Sequence, residues 1–359
     1  MIYAVILAGG KGERFWPISR SGIPKQLLKI TSEKNMLQET MDRVKDFIPQ
    51  KQTMIVTGSN IKSAILKESP SLKEDSIIVE PQGKNTCLAI GLAAIHLRKK
   101  DPDAAMAVLS CDHLIEPRER LIETLKLGLE ITGKDDFLVT IGVIPTRPET
   151  AYGYIELADL YDKYGQVSVY KVKQFKEKPD RMVAQEYYFD RKHLWNSGMF
   201  IWKVDSIMKA LERHMPQLHR SLMEHYETVG TKREKESLSD LYSRADDISI
   251  DYAVLEKADN VLCIRADMIW DDVGSWLALD RIKQKDSDGN VIIGNSLAVD
   301  SYETVVYNDG DGIILTMGIS DMVVVRSGEI VFVAHKTKIP EIKELLRKLG
   351  ENKDLRKYL

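Results

Sequence analysis

The chain has 359 residues, of which 51 are Lys or Arg and 54 are Asp or Glu, for a formal net charge of −3. That length allows one large domain with a small one, or two of moderate size, and the balance of charge excludes the strong positive field on which general nucleic-acid binders depend. Cys87, Cys111 and Cys263 form neither a CxxC pair nor an even framework, which argues against a zinc knuckle or a secreted disulfide scaffold and suits a cytoplasmic protein. No apolar stretch approaches the ~20 residues of a membrane span, and no basic region precedes the first one, so neither a span nor a signal peptide is expected.

The chain opens with the apolar run Ile2-Tyr3-Ala4-Val5-Ile6 and continues "LAGGKGERFWPISRSGIPKQ", Leu7 to Gln26. Gly9, Gly10 and Gly12 permit positive φ and close backbone approach, while Lys11, Arg14, Arg20 and Lys25 suit a polyanion, so a phosphate grip is expected directly after a buried strand. Phe15 stands where a dinucleotide fingerprint needs its third glycine, and Gly-Lys-Ser/Thr is absent, so the loop is neither that fingerprint nor a Walker A loop.

Further apolar runs at Thr53 to Thr57, Ser76 to Val79, Ala105 to Leu109 and Phe137 to Val143 read as strands buried on both faces. Between them, Met36 to Ile48 and Thr86 to Lys100 carry apolar residues at helical spacing. The alternation predicts an α/β fold, a Rossmann-like, doubly wound, mixed sheet with ligands at the carboxyl ends of its strands. Longer strands at Gln166 to Phe175 and Ser197 to Trp202 are expected to form an antiparallel lobe over that sheet. Asp205 to Tyr226 reads as one long amphipathic stretch capped by Asp205, and Gly230 to Asp247 as a mobile surface element. After a turn-rich linker, Asp286 to Asn290, residues Val291 to Ala334 read as a small C-terminal all-β module or a brief β-helical coil. Pro340 then opens a helix to Leu349, stopped by Gly350. The expected domains are 1–282 and 290–359. The Val- and Ile-rich module is expected to serve packing or dimerisation, so that truncation after Ile282 alters stability or oligomeric state more than chemistry.

Carboxylates follow two strand-like runs, Asp112 in "LSCDHLI" and Asp271 or Asp272 in "MIWDDVGSW", and with a phosphate grip one from each suits Mg²⁺ better than a pair of caps. "AYGYIE", "FKEKP" and "WNSGMF" combine turns with side chains apt for sugar hydroxyls, among them Glu156, Glu177 and Asn196. The histidines have no HExxH spacing, and no GxSxG elbow is present.

Taken in order, "LAGGKGERFWPISR", "PKQ", "EPQGKNT", "CDH", "YGYIE", "EKP", "WNSGMF" and "DVGSW" resemble the sugar-nucleotide pyrophosphorylases, and among them the bacterial mannose-1-phosphate guanylyltransferases, over roughly residues 1–280. The resemblance implies transfer of GMP from GTP to mannose 1-phosphate with release of pyrophosphate. Arg14 and Lys25 would be catalytic, holding the triphosphate. Leu7, Ala8, Gly9, Gly10 and Gly12 would line the nucleotide, with Glu80, Gly83, Asn85 and Thr86 as the base-selecting wall. Gly153, Glu177 and Asn196 would hold mannose hydroxyls and Lys178 its phosphate, while Asp112 and Asp272 would coordinate Mg²⁺. Glu13 and Lys176 stand where many relatives have Thr and Val. The chain is too short for the isomerase domain of bifunctional relatives, so only transferase activity is expected, in a homodimer. Another hexose 1-phosphate or nucleoside triphosphate is the first alternative. A metal-dependent glycosyltransferase, which would release nucleoside diphosphate, and a non-catalytic nucleotide-binding module come after it.

Overall fold

Alternating side chains in the apolar runs of residues 2–8, 105–110 and 138–143 feed two separate cores, one on either face of a single sheet. In the computed structural model, which describes residues 1–10, 12–20 and 23–359, the strands in chain order are β1 (Ile2–Ala8), β2 (Thr53–Gly58), β3 (Ile77–Glu80), β4 (Ala105–Ser110), short β5 (Leu114–Glu116), β6 (Leu138–Val143), β7 (Tyr154–Tyr164), β8 (Val167–Lys176), β9 (His193–Lys203), β10 (Val261–Ala266) and short β11 (Ile269–Asp271). The helices are α1 (Met36–Val44), α2 (Ser59–Glu68), α3 (Asn85–Lys100), α4 (Arg118–Lys134), α5 (Arg181–Asp190), α6 (Val204–His214), α7 (Pro216–Tyr226), α8 (Glu234–Arg244), α9 (Trp276–Ile282) and α10 (Ile342–Glu351). Among the described residues, no helix is long and apolar enough to cross a membrane.

Two compact units interleave along the sequence. The first takes Met1–Gly9, Thr40–Cys111 and Ile115–Trp270; the second takes Gly10–Glu39, Asp112–Leu114 and Asp271–Leu359.

In the first unit the sheet runs β3-β2-β1-β4-β9-β6-β10-β8-β7. β1 lies parallel to both β2 and β4, and β2 parallel to β3, so the order reverses at β1, the kind of switch point where doubly wound sheets bind ligands. Tyr3, Val5, Met106 and Val108 point into one core, and Ala4, Ala107 and Leu109 into the other, as the two-residue period of a strand requires. The carboxyl ends of β1 and β4 lead to Gly10 and Asp112, where the chain passes into the second unit.

The long strands do not form a lobe over this sheet. β9 inserts antiparallel between β4 and β6, and β7 and β8 extend the same sheet at its edge. The stretch from Asp205 to Tyr226 is two helices, because Pro216 has no N–H to continue the first and instead opens the second. The position before α6 is Lys203, which makes no side-chain cap bond, and Asp205 lies in the first turn. Residues 230–247 hold α8, whose Leu241 and Tyr242 are buried. The first predicted helix stops at Val44, short of Ile48.

In the second unit, β12 (Val291–Ile293), β14 (Val305–Asp309) and β16 (Met322–Ser327) stack in parallel, β13 (Ser296–Val299) stacks on β15 (Ile314–Met317), and β17 (Ile330–His335) closes against β16 antiparallel. Two parallel ladders advanced by successive turns of chain make a short β-helical coil. The linker before it is an ordered turn, in which Asp286 accepts the Asp288 and Asn290 N–H groups. Pro340 lies inside a 3₁₀ turn, Lys336–Glu341, and α10 runs through Gly350 to Glu351. The core of this unit joins Phe15, Trp16 and Ile18 to Trp276, Val305, Val323 and Phe332, so the opening glycine loop and the C-terminal coil share one packed interior.

Candidate active site

In the second unit, Gly10 and Gly12 adopt φ values of +95° and +65°. A Cβ on Gly12 would stand 2.6 Å from both Lys25 Cβ and Ser19 Oγ, so the close approach of the Lys25 segment imposes glycine there as much as the dihedral does. Lys25 is 7% exposed; its Nζ donates to Asp112 Oδ2 at 2.6 Å and to the Asp272 carbonyl at 3.4 Å. Gln26 Nε2 donates to the Gly10 carbonyl at 3.2 Å. The "PKQ" motif thus pins the glycine loop and brings its lysine to both carboxylate residues. Burial pushes the Asp112 carboxyl up, but the charges of Lys25 and His113 and the Lys25 hydrogen bond outweigh it and hold the group below its ordinary value.

Arg14 is exposed on the 3₁₀ turn Glu13–Phe15, which Phe15 anchors by an edge contact of 5.4 Å with Trp276. Arg20 reaches Ser327 Oγ at 3.5 Å and serves the packing of the coil. Lys11 lies outside the described residues.

Asp271 and Asp272 differ in surroundings. Asp271, 3% exposed, is clasped by Arg281 Nε at 2.6 Å and Nη2 at 2.8 Å and accepts Val273 N at 2.9 Å. Asp272 is half-buried; its Oδ1 accepts Gly274 N at 3.1 Å, and a Cβ on Gly274 would stand 2.7 Å from its Oδ2. Between them and Gly274 the buried Val273 holds φ +43°, a strained conformation for a β-branched residue of the kind that clusters at functional sites.

In the first unit, Leu7 and Ala8 end β1, and the Ala8 carbonyl accepts Thr57 Oγ1 at 2.8 Å. A Cβ on Gly9 or Gly83 would meet nothing within 4 Å. Glu80 ends β3, 8% exposed, and Tyr242 donates to its Oε1 at 2.8 Å. Burial raises the Glu80 carboxyl against that hydrogen bond. The rest of "EPQGKNT" is tied to the same stretch of chain, Gln82 to the Tyr242 carbonyl, Lys84 to the Ala245 carbonyl, and Thr86 Oγ1 to Ile250 N. Asn85, at φ +61°, opens α3.

Gly153, Glu177 and Asn196 come together. Asn196 N donates to the Gly153 carbonyl at 2.8 Å, and a Cβ on Gly153 would stand 3.2 Å from Glu177 Oε2 and 3.6 Å from Asn196 Cβ. Lys178 is exposed, holds φ +32° and pairs with Glu177. Glu156 accepts from Lys173 Nζ at 2.6 Å and Gln174 Nε2 at 2.5 Å.

Three residues that sequence reasoning passed over support these groups: Tyr242 beneath Glu80, Arg147 lying 4.9 Å over the Trp195 ring, and Asp251, which accepts Asn196 Nδ2 at 2.8 Å. Their partners are far away in sequence, 55 positions for Asp251, and no local pattern marks them.

The profile of the nucleotidyl transferase family matches residues 3–289, and that of a mannose-phosphate isomerase/GMP-like β-helix domain matches residues 294–349. A mannose-1-phosphate guanylyltransferase of Escherichia coli is 31% identical over 350 residues, covering 96% of this chain and 75% of its own length. One of Salmonella montevideo is 33% identical, covering 97% of this chain and 74% of its own length. Among solved structures, one described as a mannose-1-phosphate geranyltransferase from Thermus thermophilus has TM-score 0.87 at 32% identity, over 97% of this chain and 99% of that one. The chain belongs to the nucleotidyl transferase family, in its mannose-1-phosphate guanylyltransferase branch.

Proposed function

We propose that this chain transfers GMP from GTP to mannose 1-phosphate, giving GDP-mannose and pyrophosphate. The observation that carries the reading is the contact of Lys25 Nζ with the Asp112 carboxylate and the Asp272 backbone carbonyl, close beside Gly12. A buried cation paired with one acidic side chain and bonded to the backbone of a second suits a triphosphate bound with a divalent cation. An oxygen of mannose 1-phosphate attacks the α-phosphorus, the new P–O bond forms as the α–β bridging bond breaks, and pyrophosphate carries away the electron pair. Lys25 and Arg14 hold the triphosphate and offset the charge that grows on the leaving group; such transfers need alignment and charge stabilisation more than a protein nucleophile. Glu80, Gly83, Asn85 and Thr86 read the base. Gly153, Glu177 and Asn196 hold mannose hydroxyls and Lys178 the sugar's phosphate.

Asp112 and Asp272 offer the hard oxygen donors that Mg²⁺ prefers. Among the described residues no group of three His, Cys, Asp or Glu could hold a metal ion, so Asp112 and Asp272 would hold Mg²⁺ only together with oxygen donors from the substrate phosphates. When bound there, Mg²⁺ supplies charge compensation to phosphate oxygens. The enzyme works in the cytoplasm as a homodimer. Leu297 and Leu315, directly paired across β13 and β15, are 55% and 66% exposed and offer an apolar face for a second copy.

The test is an array of the four nucleoside triphosphates against mannose, glucose and other hexose 1-phosphates, with pyrophosphate as the readout. GTP with mannose 1-phosphate is expected to lead, and EDTA to abolish the signal until Mg²⁺ is restored. Release of nucleoside diphosphate in place of pyrophosphate would favour a glycosyltransferase.

A further inference from the structure

Asp251 opens a π-helical turn, Asp251–Leu255, a wide form that recurs at functional sites. Its Oδ1 accepts Asn196 Nδ2 at 2.8 Å, while Asn196 Oδ1 accepts Gly198 N at 3.1 Å. The amide is therefore held at both ends, its NH₂ toward Asp251. Through Asn196 the carboxylate is contiguous with Gly153 and Glu177.

Other carboxylates nearby are matched by cations: Glu149 by Arg147, Glu156 by Lys173, and Glu177 by Lys178. Asp251 differs. Its partners are the Asn196 amide, the Ser249 hydroxyl and backbone N–H, and no cation among the described residues is paired with it. Burial raises the Asp251 carboxyl above its ordinary value, and burial together with the Asp251 charge raises that of Glu256. A half-buried carboxylate without a cation gains most from further hydrogen-bond donors. A phosphate brings none and is repelled by the charge, whereas a sugar hydroxyl is a neutral donor of the right kind.

We propose that Asp251 accepts a hydrogen bond from a hydroxyl of the bound sugar ring and so helps choose among hexose 1-phosphates. This rests on the guanylyltransferase reading above, which assigns Gly153, Glu177 and Asn196 to the sugar.

The experiment measures kcat/KM of the full chain, wild type, Asp251→Ala and Asp251→Asn, for mannose 1-phosphate and its 2-, 3-, 4- and 6-deoxy analogues, with KM for GTP alongside. Asp251→Ala is expected to lower kcat/KM for mannose 1-phosphate by about 10–100-fold, as loss of a charge-assisted hydrogen bond does, with little change in KM for GTP. For one deoxy analogue, wild type and Asp251→Ala should converge, because the hydroxyl that Asp251 reads is already missing. Asp251→Asn, which keeps the volume and an oxygen acceptor, should fall between. An equal penalty on every analogue would overturn the proposal and leave Asp251 as a prop for Asn196, as would an equal rise in KM for GTP. If the wild type prefers another hexose 1-phosphate, the mannose reading fails, and the deoxy series built on that sugar still decides the role of Asp251.

Discussion

Lys25 Nζ lies 2.6 Å from Asp112 Oδ2, so a side chain assigned to the triphosphate is ion-paired with one assigned to the metal. The Asp112 carboxyl is held below its ordinary value. Its contribution to stability is therefore fully present above the usual carboxylate pKa of about 3.9 and is lost as pH falls through the lower folded value. Thermal midpoints of wild type and Asp112→Asn in EDTA should differ most near neutrality and converge in acid. A gap independent of pH would mean that the pair does not form in solution.

The neighbouring aspartates should separate stability from chemistry. Asp271→Asn breaks the buried clasp with the partly exposed Arg281, an expected loss of about 1–3 kcal/mol after allowing for solvent at the arginine. Asp272→Asn should leave the melting temperature nearly unchanged and lower kcat about 10²-fold or more. If Asp271→Asn proves the more damaging to kcat at a temperature where both variants are folded, the metal assignment is wrong.

Glycine substitutions distinguish backbone need from ligand need. Gly12→Ala meets Lys25 and Ser19 at 2.6 Å in a left-handed backbone, and should cost roughly 1–3 kcal/mol of stability as well as activity. At Gly9 and Gly83 a Cβ meets nothing within 4 Å, so Gly9→Ala and Gly83→Ala should fold as well as wild type. Raised KM for GTP in those two variants would mark close passage of the nucleotide; unchanged kinetics would remove them from the site.

The C-terminal coil bears on chemistry more than its lack of motifs suggests. Trp276 packs on Tyr307 at 5.2 Å and donates to the Trp16 carbonyl at 2.9 Å, and Trp16 meets Phe332 at 5.7 Å. Truncation after Ile282 strips both aromatic partners from the residues that anchor the glycine loop. Tyr307→Ala removes a partly buried ring packed on Trp276 and should cost roughly 1–3 kcal/mol, less than a fully buried aromatic truncation, and the truncated chain should lose activity along with stability. An active, stable remainder would show that the loop does not depend on the coil.

Legibility followed the locality of the signal. Strands β1 to β4 are continuous apolar runs, and α3 carries its pattern within one segment, so all were readable along the chain. Lys25, Asp112 and Asp272, which the structure brings into contact, each lie in a distinctive short motif of the sequence, as do Gly10 and Gly12. Residues 230–247 carry no clear helical signal because α8 is mostly charged outside and buries little beyond Leu241 and Tyr242. The roles of Tyr242 and Asp251 depend on partners 162 and 55 residues away, which no periodicity encodes. The antiparallel insertion of β9 was hidden for the same reason, since strand order depends on long-range pairing.

The most direct test of direct GMP transfer follows the phosphorus. With mannose 1-phosphate present, GTP labelled at the α-phosphorus should place its label in GDP-mannose, and GTP labelled at the γ-phosphorus should place it in pyrophosphate, in equal amounts. Label from the α-phosphorus appearing only in free GDP or GMP, with no GDP-mannose formed, would contradict the account.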